Sequence, residues 1–189
     1  MTHLLQGKLI RLTAESPQTL AESDSRWAGD SEYWRLLTSD VPRLYSIQAR
    51  QKRMEAALEK DEAPDNFFFN IRTLADDRLV GAIELDGIRW AHGEAFVGIS
   101  IADREYWGKG YGTDAMRVIL RYAFLELNLR RVSLDTFEYN PRAVRSYEKA
   151  GFKHEGRMRF YLKREGRRWD MLFMGILRHE WLALPETER

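Results

Sequence analysis

No cysteine occurs anywhere in the 189 residues, which removes thiolate metal sites, catalytic thiols and a disulfide framework, and points to a reducing compartment. Histidine is scarce as well. His3, His92, His154 and His179 stand far apart without ligand spacing, so no protein-built metal site is expected. No apolar run approaches the roughly 20 residues a membrane helix needs, and the opening MTHLLQGKLI has no signal-peptide core followed by a small-residue cleavage site. A soluble, cytoplasmic protein without a membrane partner is the expectation. Net charge is also lacking: 30 basic residues against 29 acidic ones leave +1, which argues against a nucleic-acid partner held by phosphate neutralisation. From Arg142 to the end there are 12 basic and 7 acidic residues, an excess that either favours an anionic ligand or solvates a face. With no repeats, no low-complexity segments and no Gly/Ser or Pro linkers, residues 1–189 read as one domain. Its length suffices to bury a core without staples.

What is present alternates between two periods. KLIRLT is a short strand; SPQTLAESDSRWAGD, SEYWRLL and SIQARQKRMEAALEKDE are helical, the last with Ser46 as N-cap. The period then falls to two in NFFFNIRTLA, RLVGAIELDGIRW and EAFVGISIA, separated by turn signals at Asp76-Asp77 and His92-Gly93, which predicts three antiparallel strands. Ala115, Val118, Ile119 and Tyr122 form one helical stripe and Met116, Leu120, Ala123 and Leu127 an adjoining one, so this helix packs on a sheet. RRVSLDTF follows as a strand, completing a parallel strand-helix-strand crossover. PRAVRSYEKAG is a short helix, and FKHEGRMRFYLK and RWDMLFMGILRHEWL are two final strands around a Glu165-Gly166 turn. The expected fold class is mixed α/β (α+β): a central, mostly antiparallel sheet of about seven strands with one parallel crossover, and helices on both faces.

Between the third of the hairpin strands and the crossover helix lies EYWGKGYGTDAM, with Gly108, Gly110 and Gly112 at alternate positions. A side chain there would hold an anion away from the unpaired N–H groups of the helix start, whereas glycine lets successive amides touch phosphate oxygens. A tight turn with positive φ angles explains the same glycines without a ligand. A Walker loop is excluded because Lys109 is followed by Gly110 rather than Ser or Thr. GKGYG is one residue short of a dinucleotide fingerprint, although Asp135 mimics its ribose-binding acid, and the preceding hairpins contradict a Rossmann start. GISIA approximates a nucleophile elbow, but Ser100 sits within an alternating strand and no His/Asp partners can be placed. The tryptophans and tyrosines show no basic-aromatic interleaving and are assigned to packing.

YWGKGYGTDAM and NPRAVRSYEKAGFKHEG together resemble the GNAT family of acetyl-CoA-dependent N-acetyltransferases, over roughly Asp77 to Trp181. The chain is most similar to the branch that acetylates ribosomal-protein amino termini, spermidine and antibiotics. The resemblance implies acetyl-CoA as co-substrate, transfer to a primary amine by direct attack on the thioester, and no metal. It implies that the amides of Gly108, Lys109, Gly110, Tyr111, Gly112 and Thr113, next to Trp107, hold the CoA diphosphate. The pantetheine arm would lie along Ile99, Ser100 and Ile101 as an added strand beside a bulge at Gly98. Asn140 would bond near its end, Tyr147 would stand beside the thioester sulfur as proton donor, and Lys149 completes the implied cofactor set. Trp107 replaces the motif's usual Arg or Gln.

Such a transfer needs a neutral amine, a donor for the carbonyl oxygen and a proton for the thiolate. Relatives in this branch carry a base, glutamate, where this chain has Phe96. Glu84, Glu94 and Glu138 are the substitutes, with Glu84 and Glu138 the catalytic candidates. A missing base favours an α-amine, with a pKa of about 7.7–8.0, over a lysine-like amine near 10.4, or else a water relay. Without a base, a non-catalytic acyl-CoA-binding module is the alternative. The acceptor, a small molecule or a protein N-terminus, would be gripped by residues Ala14 to Lys60 and the last hairpin. Homodimerisation is a further expectation of such families.

Overall fold

A computed structural model describes residues 3–41, 43–44, 46–58 and 65–189, and for 53, 54, 57 and 58 it describes the backbone alone. The elements follow in the order β1 (Ile10–Thr13), α1 (Pro17–Ala28), α2 (Ser31–Leu37), α3 (Ile47–Leu58), β2 (Phe67–Thr73), β3 (Leu79–Arg89) and β4 (Glu94–Ile101). Then come α4 (Tyr111–Arg121), β5 (Arg131–Phe137), α5 (Pro141–Lys149), β6 (Lys153–Arg164), β7 (Arg167–Leu177) and α6 (Arg178–Leu182). The strands form one seven-stranded sheet in the order β1-β2-β3-β4-β5-β7-β6. Every neighbouring pair is antiparallel except β4 and β5, the two joined through α4. The expected mixed sheet with one parallel crossover is therefore what the chain builds.

Local chemistry starts and stops these elements. Ser16 Oγ accepts from the Thr19 amide and Asp30 Oδ1 from those of Glu32 and Tyr33, capping α1 and α2. Ser46 caps α3 through the Ala49 amide, as its sequence position suggests; residues 59–62 of the expected helix lie outside the described residues. Hairpin turns use positive φ at Asp77, Gly93, Glu165 and Gly166. The final strand is shorter than its alternation suggests. It ends at Leu177, whose amide donates to Glu180, and a helical turn then buries Trp181 against Phe124 at 5.4 Å.

The two faces of the sheet carry different layers. Val97, Ile83, Leu85, Val132, Leu134, Met174 and Ile176 join Met116, Ile119, Leu120 and Phe124 in one apolar core under α4. Burial of this kind stabilises by roughly 25 cal/mol per Å² of apolar surface. The opposite face carries the early helices: Tyr33 of α2 is buried, and its phenol, pushed up to about 12 by burial, bonds Ser100 of β4. Alternation assigns Phe96, Gly98 and Ser100 to this second face and Val97, Ile99 and Ile101 to the α4 side.

Candidate active site

β4 and β5 pair only at Glu94–Phe96 with Arg131–Ser133. Beyond that point β4 runs on to Ile101 against β3 alone and β5 to Phe137 against β7 alone. The sheet is parted there. The Ala102 amide donates to Val80 of β3 at 2.8 Å, so antiparallel alternation turns the peptide groups of Val97, Ile99 and Ile101 toward the parting. The bulge expected at Gly98 does not exist: β4 keeps unbroken register with β3 across Gly98, and the irregularity falls between Asp86 and Arg89, where Gly87 has φ 55°. β5 leaves β4; β4 does not bulge. Gly98 serves differently, since a Cβ on it would stand 3.1 Å from Glu84 Oε1. Its bareness lets the Glu84 carboxylate lean over the strand beside the gap.

At the mouth of the parting, Gly108 has φ 72° and Gly110 φ 94°, and α4 starts at Tyr111 with Gly110 as its cap. The Trp107 amide bonds Arg104 O and the Asp114 amide bonds Gly110 O, but the six amides between, Gly108 to Thr113, donate to no acceptor among the described residues. A Cβ at Gly108 would meet nothing within 4 Å. Positive φ explains two of the glycines as turn residues; the unsatisfied amides and open space go beyond that reading. These features fit a diphosphate, whose charge the helix dipole also favours.

The carboxylate at the start of α4 does not compete for that position. Asp114 is buried and points back at the chain start, accepting from Leu9 N at 2.7 Å and from Lys8 and Ile10 N at 3.1 Å. Farther along α4, Arg121 donates to the carbonyls of His3, Leu4 and Gln6. The two straps bind the N-terminal segment along the helix.

Trp107 changes what the parting offers. Its indole N–H donates to Ile101 O at 2.5 Å, and the Arg142 guanidinium lies over its ring at 3.6 Å. Pairing of a ligand strand with the Ile101 carbonyl, as expected from sequence, is therefore pre-empted; the Ile99 peptide and the Ile101 amide remain. Thr113 and Ser146 share a hydroxyl hydrogen bond of 2.9 Å that ties α4 to α5. Asn140 caps α5 through Oδ1 to the Ala143 amide at 3.2 Å, which leaves its amide N–H₂ as a donor. Tyr147 is 9% exposed, packs against Phe152 and has no hydrogen-bond partner for its hydroxyl among the described residues. Burial first, then the charge of Asp135, pushes its phenol well above the usual range, so it stays protonated.

Other expected residues lie elsewhere. Lys149 is exposed at the end of α5, its carbonyl bonded to Arg117 beyond the first turn of α4, and the structure does not bring it to the amides. Lys109 is exposed at the loop tip, and Tyr111 packs edge-on to Tyr106. Glu94 is ion-paired to Arg89 at the closed end of the β4–β5 pair. Glu138 follows β5, its amide bonded to Asp170 O and its carboxylate without a described partner. Glu84 is half-buried, and burial, then the charge of Asp86, raises its carboxyl. Asp86 and Asp135, both exposed at the surface, are shifted in the same direction by partial loss of surrounding water and then by Asp65 and Asp86 respectively. None of these three carboxylates has an ion pair or a side-chain hydrogen bond among the described residues. They share the face of Phe96, which is 47% exposed.

Residues 9–153 match the family model for the acetyltransferase (GNAT) domain. The chain belongs to the GNAT acetyltransferase family. It is 37% identical over 134 residues to the probable N-acetyltransferase YjcK of Bacillus subtilis, covering 70% of this chain and 74% of that one. Another B. subtilis relative, the SPbeta prophage-derived uncharacterized N-acetyltransferase YokL, is 30% identical with 93% of each chain covered. Among solved structures, spermidine N-acetyltransferase from Vibrio cholerae, in complex with CoA and spermine, superposes with a TM-score of 0.78 at 25% identity, covering 92% of this chain and 98% of that one. This GNAT protein is an acetyl-CoA-dependent N-acetyltransferase of amines. Among the described residues no cluster of side chains could hold a metal ion, and no helix is long and apolar enough to cross a membrane.

Proposed function

We propose that this GNAT enzyme acetylates a small cationic amine, taking acetyl-CoA through the parted strands from the α4–α5 side and the amine from the opposite face. The observation that carries the reading is the run of unpartnered amides from Gly108 to Thr113 at the mouth of a parted β4–β5 pair. These amides hold the diphosphate. Acetyl-CoA supplies an acyl carbon activated as a thioester; the rest is done by this chain. The Ile99 N–H, turned into the parting, stabilises negative charge on the acyl oxygen. Tyr147, buried and protonated, gives its proton to the departing sulfur and is reprotonated at the expense of the nitrogen, which sheds its second proton as the amide forms. Glu84, leaning over Gly98 from the other face, takes the proton from the ammonium, directly or through one water. Its raised carboxyl is better matched to that transfer than an ordinary glutamate.

The acceptor's charge follows from Glu84, Asp86 and Asp135, which line one face with no ion pair among the described residues and repel one another there. An aliphatic ammonium would relieve that repulsion and lie against Phe96. The likeness to spermidine N-acetyltransferase supports the same class. The test is thiol release from acetyl-CoA with spermidine, n-butylamine and a peptide bearing a free α-amine. Turnover should be fastest with spermidine, and Tyr147→Phe should lower it by about a hundredfold with acetyl-CoA affinity nearly intact. Preference for the peptide would discard the small-amine acceptor, and an unchanged rate in the Phe variant would remove Tyr147 from the chemistry.

A further inference from the structure

Arg164, the last residue of β6, reaches across to the end of α2. Its guanidinium donates to four oxygens: the carbonyls of Arg35, Thr38 (2.5 Å) and Asp40 (3.3 Å), and the hydroxyl of Tyr139 (2.8 Å). Tyr139 donates in turn to Arg35 O at 2.6 Å, and the neighbouring Glu165 pairs with Arg35 at 2.7 Å. One half-buried cation thus ties three parts of the chain together: the C-terminal end of α2, the β6–β7 hairpin, and the residue immediately before Asn140, the cap of α5. The end of α2 leaves carbonyls without helical partners, and a cation there is favoured by the helix dipole as well.

The junction stands on the acceptor side of the sheet. α2 lies on the face where Tyr33 covers Ser100, and Phe137, stacked on Tyr139 at 5.1 Å, extends the side of β5 that carries Asp135. The donor-side amides belong to the other layer, and Arg164 touches none of their residues. We propose that Arg164 is a positioning residue that sets the distance between the α2 wall and the hairpin wall of the acceptor groove, and so fixes where the amine sits before attack. This rests on the reading that the amine enters from the face bearing Glu84. A planar guanidinium suits the task because its two edges serve several converging oxygens, which a lysine ammonium cannot match in the same geometry.

Steady-state kinetics on the full chain test this, with spermidine varied at saturating acetyl-CoA and acetyl-CoA varied at saturating spermidine. Arg164→Ala should raise KM for spermidine about tenfold and leave KM for acetyl-CoA within about twofold; Arg164→Lys should fall between wild type and Ala. Tyr139→Phe, which removes one arm of the junction and leaves no cavity, should shift KM for spermidine in the same direction by less. If Arg164→Ala fails to fold, the Lys and Phe variants decide alone. Equal rises in both KM values, or no rise for spermidine, would overturn the assignment. A wild-type enzyme that binds acetyl-CoA and acetylates no amine would overturn the underlying reading, and with it this role for Arg164.

Discussion

The proposed chemistry turns on Glu84 of β3, which reaches toward the parting across the bare Gly98 of β4. The family resemblance implies a glutamate where this chain has Phe96, and in the proposed mechanism Glu84, which extends over the bare Gly98, takes its place. The environment that raises its carboxyl also carries a stability penalty. The native form holds its proton more tightly than the unfolded form, so stability is greatest below the usual glutamate value and falls as pH rises through the raised one. Glu84→Gln should therefore raise Tm at pH 7 while cutting turnover by roughly ten- to a hundredfold. The wild-type rate should climb with pH through the Glu84 titration, and the Gln variant should lose that limb. A pH–rate profile identical in the two proteins would assign the proton to another group. Gly98→Ala tests the same contact from below, because the new methyl would stand 3.1 Å from Oε1.

At the scale of elements, the entrance of α4 performs two jobs with opposite demands, and the chain separates them by direction. The amides of Gly108–Thr113 have no acceptor among the described residues, while Asp114 turns back on three amides of the N-terminal segment. Two substitutions should split these jobs. Gly110→Val strains a residue at φ 94° in the cradle and should weaken acetyl-CoA binding by more than about tenfold with a modest loss of stability. Asp114→Ala strands the buried amide of Ile10 and the partly buried amide of Leu9 and should cost about 1–3 kcal/mol while leaving acetyl-CoA affinity largely intact in protein that remains folded. Isothermal titration with CoA alongside thermal melts would separate them, and parallel losses in both would mean that one structural unit serves both ends. The sequence made the glycines legible because alternation at a helix entrance is a local pattern. The direction of Asp114 was not legible: an acidic residue in a first turn suits the dipole equally well facing either way. The same limit hid the Trp107–Arg142 stack and the end of β7, where long-range partners outweigh a period of two.

For the whole molecule, the hairpin neighbours and the parallel crossover could be read from periodicity and turn chemistry, whereas the place of β7 between β5 and β6 could not. The parting of β4 from β5 entered only through the family resemblance, which located it correctly but attributed it to a bulge. The acidic face is not legible in the sequence because its members come from separate strands: Glu84 and Asp86 from β3, Asp135 from β5, brought together by register alone. In a chain of net charge +1, long-range steering of a cationic substrate by overall charge is negligible, so attraction must come from that patch acting within a Debye length of about 8–10 Å. The Asp86→Asn, Asp135→Asn double variant should raise KM for spermidine about tenfold at low salt, with far less effect on n-butylamine, whose single charge Glu84 still meets. Added salt should raise the wild-type KM for spermidine toward the variant's value and leave the variant nearly flat, while KM for acetyl-CoA follows the same course in both. Matching salt curves for the two proteins would place the recognition of charge elsewhere, and the parted strands would then open onto a face whose carboxylates serve only to keep it hydrated.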